Sequence, residues 1–117
     1  MLILLSMPVT AQATRLFNEA YYQNMWAKQW NGITEYKLSD GTRVDVLTEN
    51  YAVEFDFARK WAEAVGQSLH YGMMTGKTPA IVLILETSKD YVYLNRLKPL
   101  CQKYGITLWY MKSPNFI

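Results

Sequence analysis

Six consecutive apolar residues, Ala80-Ile81-Val82-Leu83-Ile84-Leu85, follow Pro79 and stop at Glu86. A strand with one wet face alternates polar and apolar residues. An unbroken apolar run of this length, bounded by turn signals, fits a central strand covered on both faces. Coverage of that kind comes from helices packed on a sheet, which predicts an α/β sandwich.

The flanking segments carry the matching patterns. From Phe57 to about Met74 the period is helical, with Phe57, Trp61, Val65 and Leu69 spaced by four as the expected core stripe. Gly76 and Pro79 end it. Tyr91 to Tyr104 predicts a further amphipathic helix with Leu94, Leu97 and Cys101 facing inward and Gly105 as its stop. Thr107 to Met111 is then a last strand, reached by a right-handed crossover. Upstream, Thr14 to Trp30 has helical spacing at Leu16, Ala20, Met25 and Trp26, with Thr14 as N-cap and Asn31-Gly32 as the stop. Ile33 to Leu38 alternates, Asp40-Gly41 is a hairpin turn and Arg43 to Leu47 is the return strand. Glu49-Asn50 turns again into Tyr51 to Phe55, completing a three-strand meander. The predicted order is α-β-β-β-α-β-α-β.

At 117 residues, half of them hydrophobic, the chain makes one domain with a real core. The formal charge of +2 is too small to argue for a polyanionic partner by itself. A single cysteine, Cys101, excludes an internal disulfide, and no histidine near it in sequence could activate it as a nucleophile. Residues 1–9 are almost all apolar, and Ala11-Gln12-Ala13 has the small-x-small pattern of a signal-peptidase site. The expectation is a signal peptide over 1–13 and a mature domain over 14–117, exported to the periplasm or medium. Without cleavage the protein would be cytoplasmic. The apolar segment is too short for a stable membrane insertion.

Three acids stand out within this frame. Asp45 falls in the second predicted strand, and Glu54 and Asp56 in the third. A tight hairpin sets the two strands side by side, and residues two apart project from one face. Val53 and Phe55 flank Glu54, so its charge lies in an apolar strand, where it is expensive unless neutralised. Oxygen-only ligands suit Mg²⁺ or Mn²⁺, and nothing resembles a His/Cys zinc site. In the next helix Lys60, Gln67 and Tyr71 fall within roughly 40° of one another. Such a set would place a cation and an amide beside a metal that activates water against a phosphodiester. The plainer reading pairs Glu54 with Arg43 or Arg59 and makes Asp56 a helix cap. His70 falls on a different helical face from Lys60 and Gln67 and predicts a structural or surface role. Trp26, Trp30 and Trp61 predict core positions. Lys77, Lys98 and Lys103 are scattered, as solvated lysines are.

The runs Thr42-Arg43-Val44-Asp45-Val46, Ala52-Val53-Glu54-Phe55-Asp56 and Gly66-Gln67-Ser68-Leu69-His70-Tyr71 together resemble the PD-(D/E)xK, or restriction-endonuclease-like, nuclease superfamily. The Gln-x-x-x-Tyr of Gln67 and Tyr71 resembles the helical motif of its RecB-type and lambda-exonuclease-type branches. The resemblance spans Ile33 to about Met111. It implies a central mixed sheet and a Mg²⁺-dependent endonuclease-like hydrolase acting on DNA, with Asp45 and Glu54 holding the metal. It also implies an upstream acid, for which Glu35 is the candidate, with Asp56 as a further ligand. Lys60 would then assist water or phosphate, and Gln67 and Tyr71 would order the site. The departure lies two residues after Glu54, where the family has Lys and this chain has Asp56; Lys60 is the candidate substitute. A degenerate member that binds nucleic acid or a protein partner without cutting is the alternative, and an exported structural protein with surface acids is a second. Dimerisation would let a domain this small engage both strands of a duplex.

Overall fold

The computed structural model describes residues 15–117. The expected signal peptide and the Thr14 cap lie outside the described residues. Helix α1 spans Glu19–Trp30, followed by strands β1 (Ile33–Lys37), β2 (Arg43–Leu47) and β3 (Tyr51–Phe57). A 3₁₀ turn over Ala58–Lys60 leads into α2 (Trp61–Thr75), then β4 (Thr78–Leu85), α3 (Tyr91–Tyr104) and β5 (Thr107–Lys112). The fold is α/β with a five-stranded mixed sheet in the order β1-β2-β3-β4-β5. The first three strands form an antiparallel meander, and β3, β4 and β5 run parallel.

The apolar run accounts for the layering. Ala80 to Leu85 is wholly buried, and its side chains alternate between two cores. Ala80, Val82 and Ile84 pack with Val53, Phe55 and Phe57 against Tyr22, Trp26 and Ala27 of α1. Ile81, Leu83 and Leu85 pack against Ala64 of α2 and Leu94, Leu97 and Cys101 of α3. Parallel pairing of β3 with β4, and of β4 with β5, needs a crossover each time, and α2 and α3 are those crossovers. Cys101 is buried as expected, and burial pushes its thiol up to about 11.

Several boundaries differ from expectation. Helix α1 starts five residues later than Thr14. Asn18 is its N-cap, with Oδ1 accepting from the Tyr21 N–H at 3.1 Å, and Leu16 is exposed ahead of the helix. Strand β3 continues through Phe57, so Phe57 belongs to the sheet and packs on the α1 side. The stripe expected from Phe57 to Leu69 therefore forms only in part: Trp61 and Val65 pack, partly buried, against the α3-side core, and Leu69 is 37% exposed. Helix α2 instead buries Ala64, Ser68, Tyr71 and Gly72. Small residues on that face let the helix approach closely, and a Cβ at Gly72 would stand 3.0 Å from Pro79. Asp56 caps nothing: it lies in β3, and Phe57 precedes the 3₁₀ turn without a side-chain cap. Trp26 is core as expected, but Trp30 is 43% exposed, stacked on Trp26 with ring centroids 5.0 Å apart. It sits in the last turn of α1, where the helix leaves the sheet.

Gly32 sets the junction between α1 and the meander. A Cβ there would meet Val46 Cγ1 at 2.4 Å, inside the α1-side core. Gly32→Ala is expected to lower unfolding free energy by about 1–3 kcal/mol, read from the urea midpoint, because Val46 is fully buried and has no free space to move into.

Candidate active site

Strands β2 and β3 pair only through Val46↔Val53 and Leu47↔Ala52. One step further the same register would bring Asp45 opposite Glu54. There the ladder stops, because Asp45 Oδ2 accepts the Phe55 N–H at 2.7 Å. A side chain has taken the backbone acceptor's place, and a pocket of about 210 Å³ opens at this point. Asp45 from β2, Glu54 and Asp56 from β3, Lys60 from the 3₁₀ turn, and Gln67 and Tyr71 from α2 all line it. Six residues singled out in the sequence thus meet in one cavity. Glu54 and Asp56 share a strand face with the α2-side residues because they alternate with Val53, Phe55 and Phe57, which face α1.

Two further acids complete the lining, Glu19 from the first turn of α1 and Glu63 from the first turn of α2. In sequence each is an ordinary acid at a helix N-terminus, where the helix dipole favours it. Only the packing of α1 across the sheet brings Glu19 to the pocket. Glu35, the upstream acid expected there, does not line it. It is an exposed residue of β1 with φ 51°, and the β1–β2 ladder skips it between Thr34↔Val46 and Tyr36↔Val44. A left-handed residue in a strand turns its side chain out of the regular alternation. His70 lies outside the pocket, its Nε2 2.8 Å from Asp40 Oδ2, and ties α2 to the β1–β2 turn.

The electrostatics follow from crowding. Glu54 is 3% exposed and Asp56 5%. Among the described residues no backbone or side-chain N–H or hydroxyl donates to either carboxyl; their close polar neighbours are other carboxyls. Burial, and then the Asp45 and Asp56 carboxyls, push Glu54 far above the usual carboxylate range. Burial, and then the Glu19 charge, raise Asp56, while Lys60 opposes the rise. Burial also raises Asp45 and Glu19. Tyr71 is pushed up to about 12, first by burial and then by Glu54 and Asp45. The Lys60 ammonium thus bears on the acids from the pocket wall.

Oxygen donors at this density fit a hard divalent cation in chemistry, because ionising them together needs a compensating positive charge. Among the described residues no group of three or more acidic, His or Cys side chains already stands as a ligand set. Holding a cation would require the carboxylates to ionise and turn toward a common centre.

Compared with known proteins, the chain is 30% identical over 90 residues, 77% of its length, to the putative KilA-N domain-containing protein R878 of Acanthamoeba polyphaga mimivirus. The matched stretch is 24% of that protein, so the chain spans about a quarter of the relative's length. No family model matches the chain, and no solved structure does. Among the described residues no helix is long and apolar enough to cross a membrane.

The raised acids fix the sign of a pH dependence. Each keeps its proton in the folded chain at a pH where the unfolded chain has released it. Their contribution to stability is therefore fully present below about pH 4, the unfolded values, and is lost as pH rises through the folded ones. In chelator, the urea midpoint is expected to fall from about pH 4 to about pH 8, and Glu54→Gln to flatten that fall. Mg²⁺ or Mn²⁺ is expected to raise the melting temperature more at about pH 8 than at about pH 5, because the ion binds the ionised form. A melting temperature indifferent to both ions at both pH values would remove the cation from this site.

Proposed function

We propose that the protein is a nuclease-like domain of the PD-(D/E)xK kind that hydrolyses DNA phosphodiester bonds at the acidic pocket. The observation that carries this reading is the convergence of Asp45, Glu54, Asp56, Lys60, Gln67 and Tyr71 on one cavity where β2 parts from β3. The sheet and helix order agrees with a restriction-endonuclease-like arrangement, and the similarity to a putative KilA-N domain-containing protein supports DNA as the partner to test first. Asp45, Glu54 and Asp56 are the residues to hold Mg²⁺ or Mn²⁺, with Glu19 in place of Glu35 as the additional acid. Such an ion supplies Lewis acidity toward a phosphate oxygen and an activated water.

The remaining roles belong to the chain's own groups. Lys60 places a positive charge at the wall of a pocket whose other charged lining residues are acids, and offsets the repulsion between them and a phosphate. The Gln67 amide can donate to a phosphate oxygen and accept from water, which fixes the line of attack. Tyr71 keeps its proton at any physiological pH and serves as a hydrogen-bond donor rather than a base. A binding protein that does not cut is the second reading. One observation favours it: Asp56 adds a negative charge at the strand position where the resembled family carries lysine.

The full chain, incubated with supercoiled and linear DNA and Mg²⁺ or Mn²⁺, is expected to cut. Glu54→Ala should abolish cutting and Lys60→Ala should reduce it by about 10²-fold or more. DNA retained on the folded protein but left intact with both ions would favour the binding reading, and cutting that survives Glu54→Ala would place the chemistry elsewhere.

A further inference from the structure

The charge of this chain is divided unevenly. From Tyr91 to Ile117 it has four cations, Arg96, Lys98, Lys103 and Lys112, and no Asp or Glu. The ninety residues before them carry eight basic against ten acidic side chains. That cationic stretch is α3 and β5, and β5 is the last strand of the sheet. Among the described residues its ladder runs to β4 alone, and no strand pairs with the other row of its backbone N–H and C=O groups.

The edge is neither short nor blunted in the usual ways. It has six residues, without proline, and its charge is confined to Lys112 at the end. Apolar groups line both its faces. On the α3 side a groove of about 430 Å³ is floored by Leu94, Cys101, Ile106 and Leu108 and rimmed by Lys98 and Tyr110, which is 48% exposed. On the α1 side Trp109 is half-buried against the exposed Trp30, with ring centroids 5.0 Å apart. The acids between β4 and α3 are already engaged. Glu86 pairs with Arg15 at 2.9 Å, and the Asp90 carboxylate accepts the Glu86 N–H at 2.7 Å.

We infer that the open edge of β5, with the groove between it and α3, docks an extended acidic segment of a protein partner as a sixth strand. Main-chain hydrogen bonds to β5 supply the register, and alternate side chains of the added strand supply specificity. Apolar side chains pointing to the α3 side enter the groove, and carboxylates beside them meet Lys98 and Lys112. A nucleic-acid strand fits less well. The groove floor is apolar without an aromatic ring, which leaves Tyr110 at the rim as its one stacking surface, and a sugar-phosphate backbone cannot complete the β5 ladder. A second copy of this edge offers Lys98 and Lys112 no side-chain carboxylate, because Tyr91 to Ile117 contains none. This surface is separate from the acidic pocket, which lies at β2 and β3, and does not depend on the chemistry proposed there.

The test uses the full chain and a short fluorescein-labelled Val–Glu peptide of the repeat Val-Thr-Glu-Thr, which sets Val and Glu on one face of a strand, beside a Val–Lys peptide with Lys in place of Glu and a labelled single-stranded oligonucleotide. The Val–Glu peptide should bind in fluorescence anisotropy and the Val–Lys peptide should not. Amide exchange should slow on binding within Thr107–Lys112. Lys98→Glu with Lys112→Glu should weaken binding by about tenfold or more, at unchanged melting temperature, and Lys28→Glu on α1 should leave it unaltered. Failure of the acidic peptide to bind, binding indifferent to peptide charge, protection away from β5, or protection of β5 by the oligonucleotide alone would each overturn the inference.

Discussion

Crowding of carboxyl groups on one face of β3 is the constraint around which the rest of the molecule is arranged. Glu54 and Asp56 point to one side of a strand whose other side, Val53, Phe55 and Phe57, is core. A two-residue period forces both acids inward together, beneath α2. Ionising them there without a positive charge is unfavourable. The fold meets this by parting β2 from β3, admitting a pocket and setting Lys60 in its wall. The small residues of α2, Ala64, Ser68 and Gly72, then bring Gln67 and Tyr71 close enough to share the cavity.

Much of this was legible in the residues. The apolar run at Ala80 to Leu85 required cover on two faces, and the structure provides it. The bounds of β2 and α3 were readable to the residue because Asp40-Gly41 and Gly105 punctuate them. Spacing alone put Gln67 and Tyr71 on one face with Lys60, and all three reach the pocket. What local pattern could not reveal were consequences of tertiary packing. Phe57 has a helix-compatible spacing to Trp61, yet pairing of β3 with β4 as far as Phe57↔Ile84 holds it in the sheet. That single extension takes Phe57 out of the expected stripe of α2 and leaves Trp61 and Val65 in it. Glu19 and Glu35 exchanged places for a related reason. The strand position looked closer to Asp45 in sequence, but a left-handed backbone at Glu35 breaks the β1–β2 pairing there, and the first turn of α1 reaches the site instead.

Two regions of the sheet differ in kind. At β2 and β3 the surface is concave, acidic and polar, and three acids there have become harder to ionise through their burial. At β5 it is cationic, apolar and open along the backbone. The cations near β5 attract anionic groups from a distance, whereas the protonated acids of the pocket leave little field there until they ionise.

Asp45 differs from its neighbours in the pocket in one respect. Its carboxylate is bound to the Phe55 N–H, so it ends a ladder as well as lining a cavity. A lineage that abandoned the pocket's chemistry would still be held to Asp or Asn at this position by the neighbouring backbone. Retention of an acid at 45 among distant relatives would therefore speak for the shape of the strand pair. Glu54, which accepts no such bond, has no second duty, and its loss or survival would be the truer record of whether the pocket is still in use.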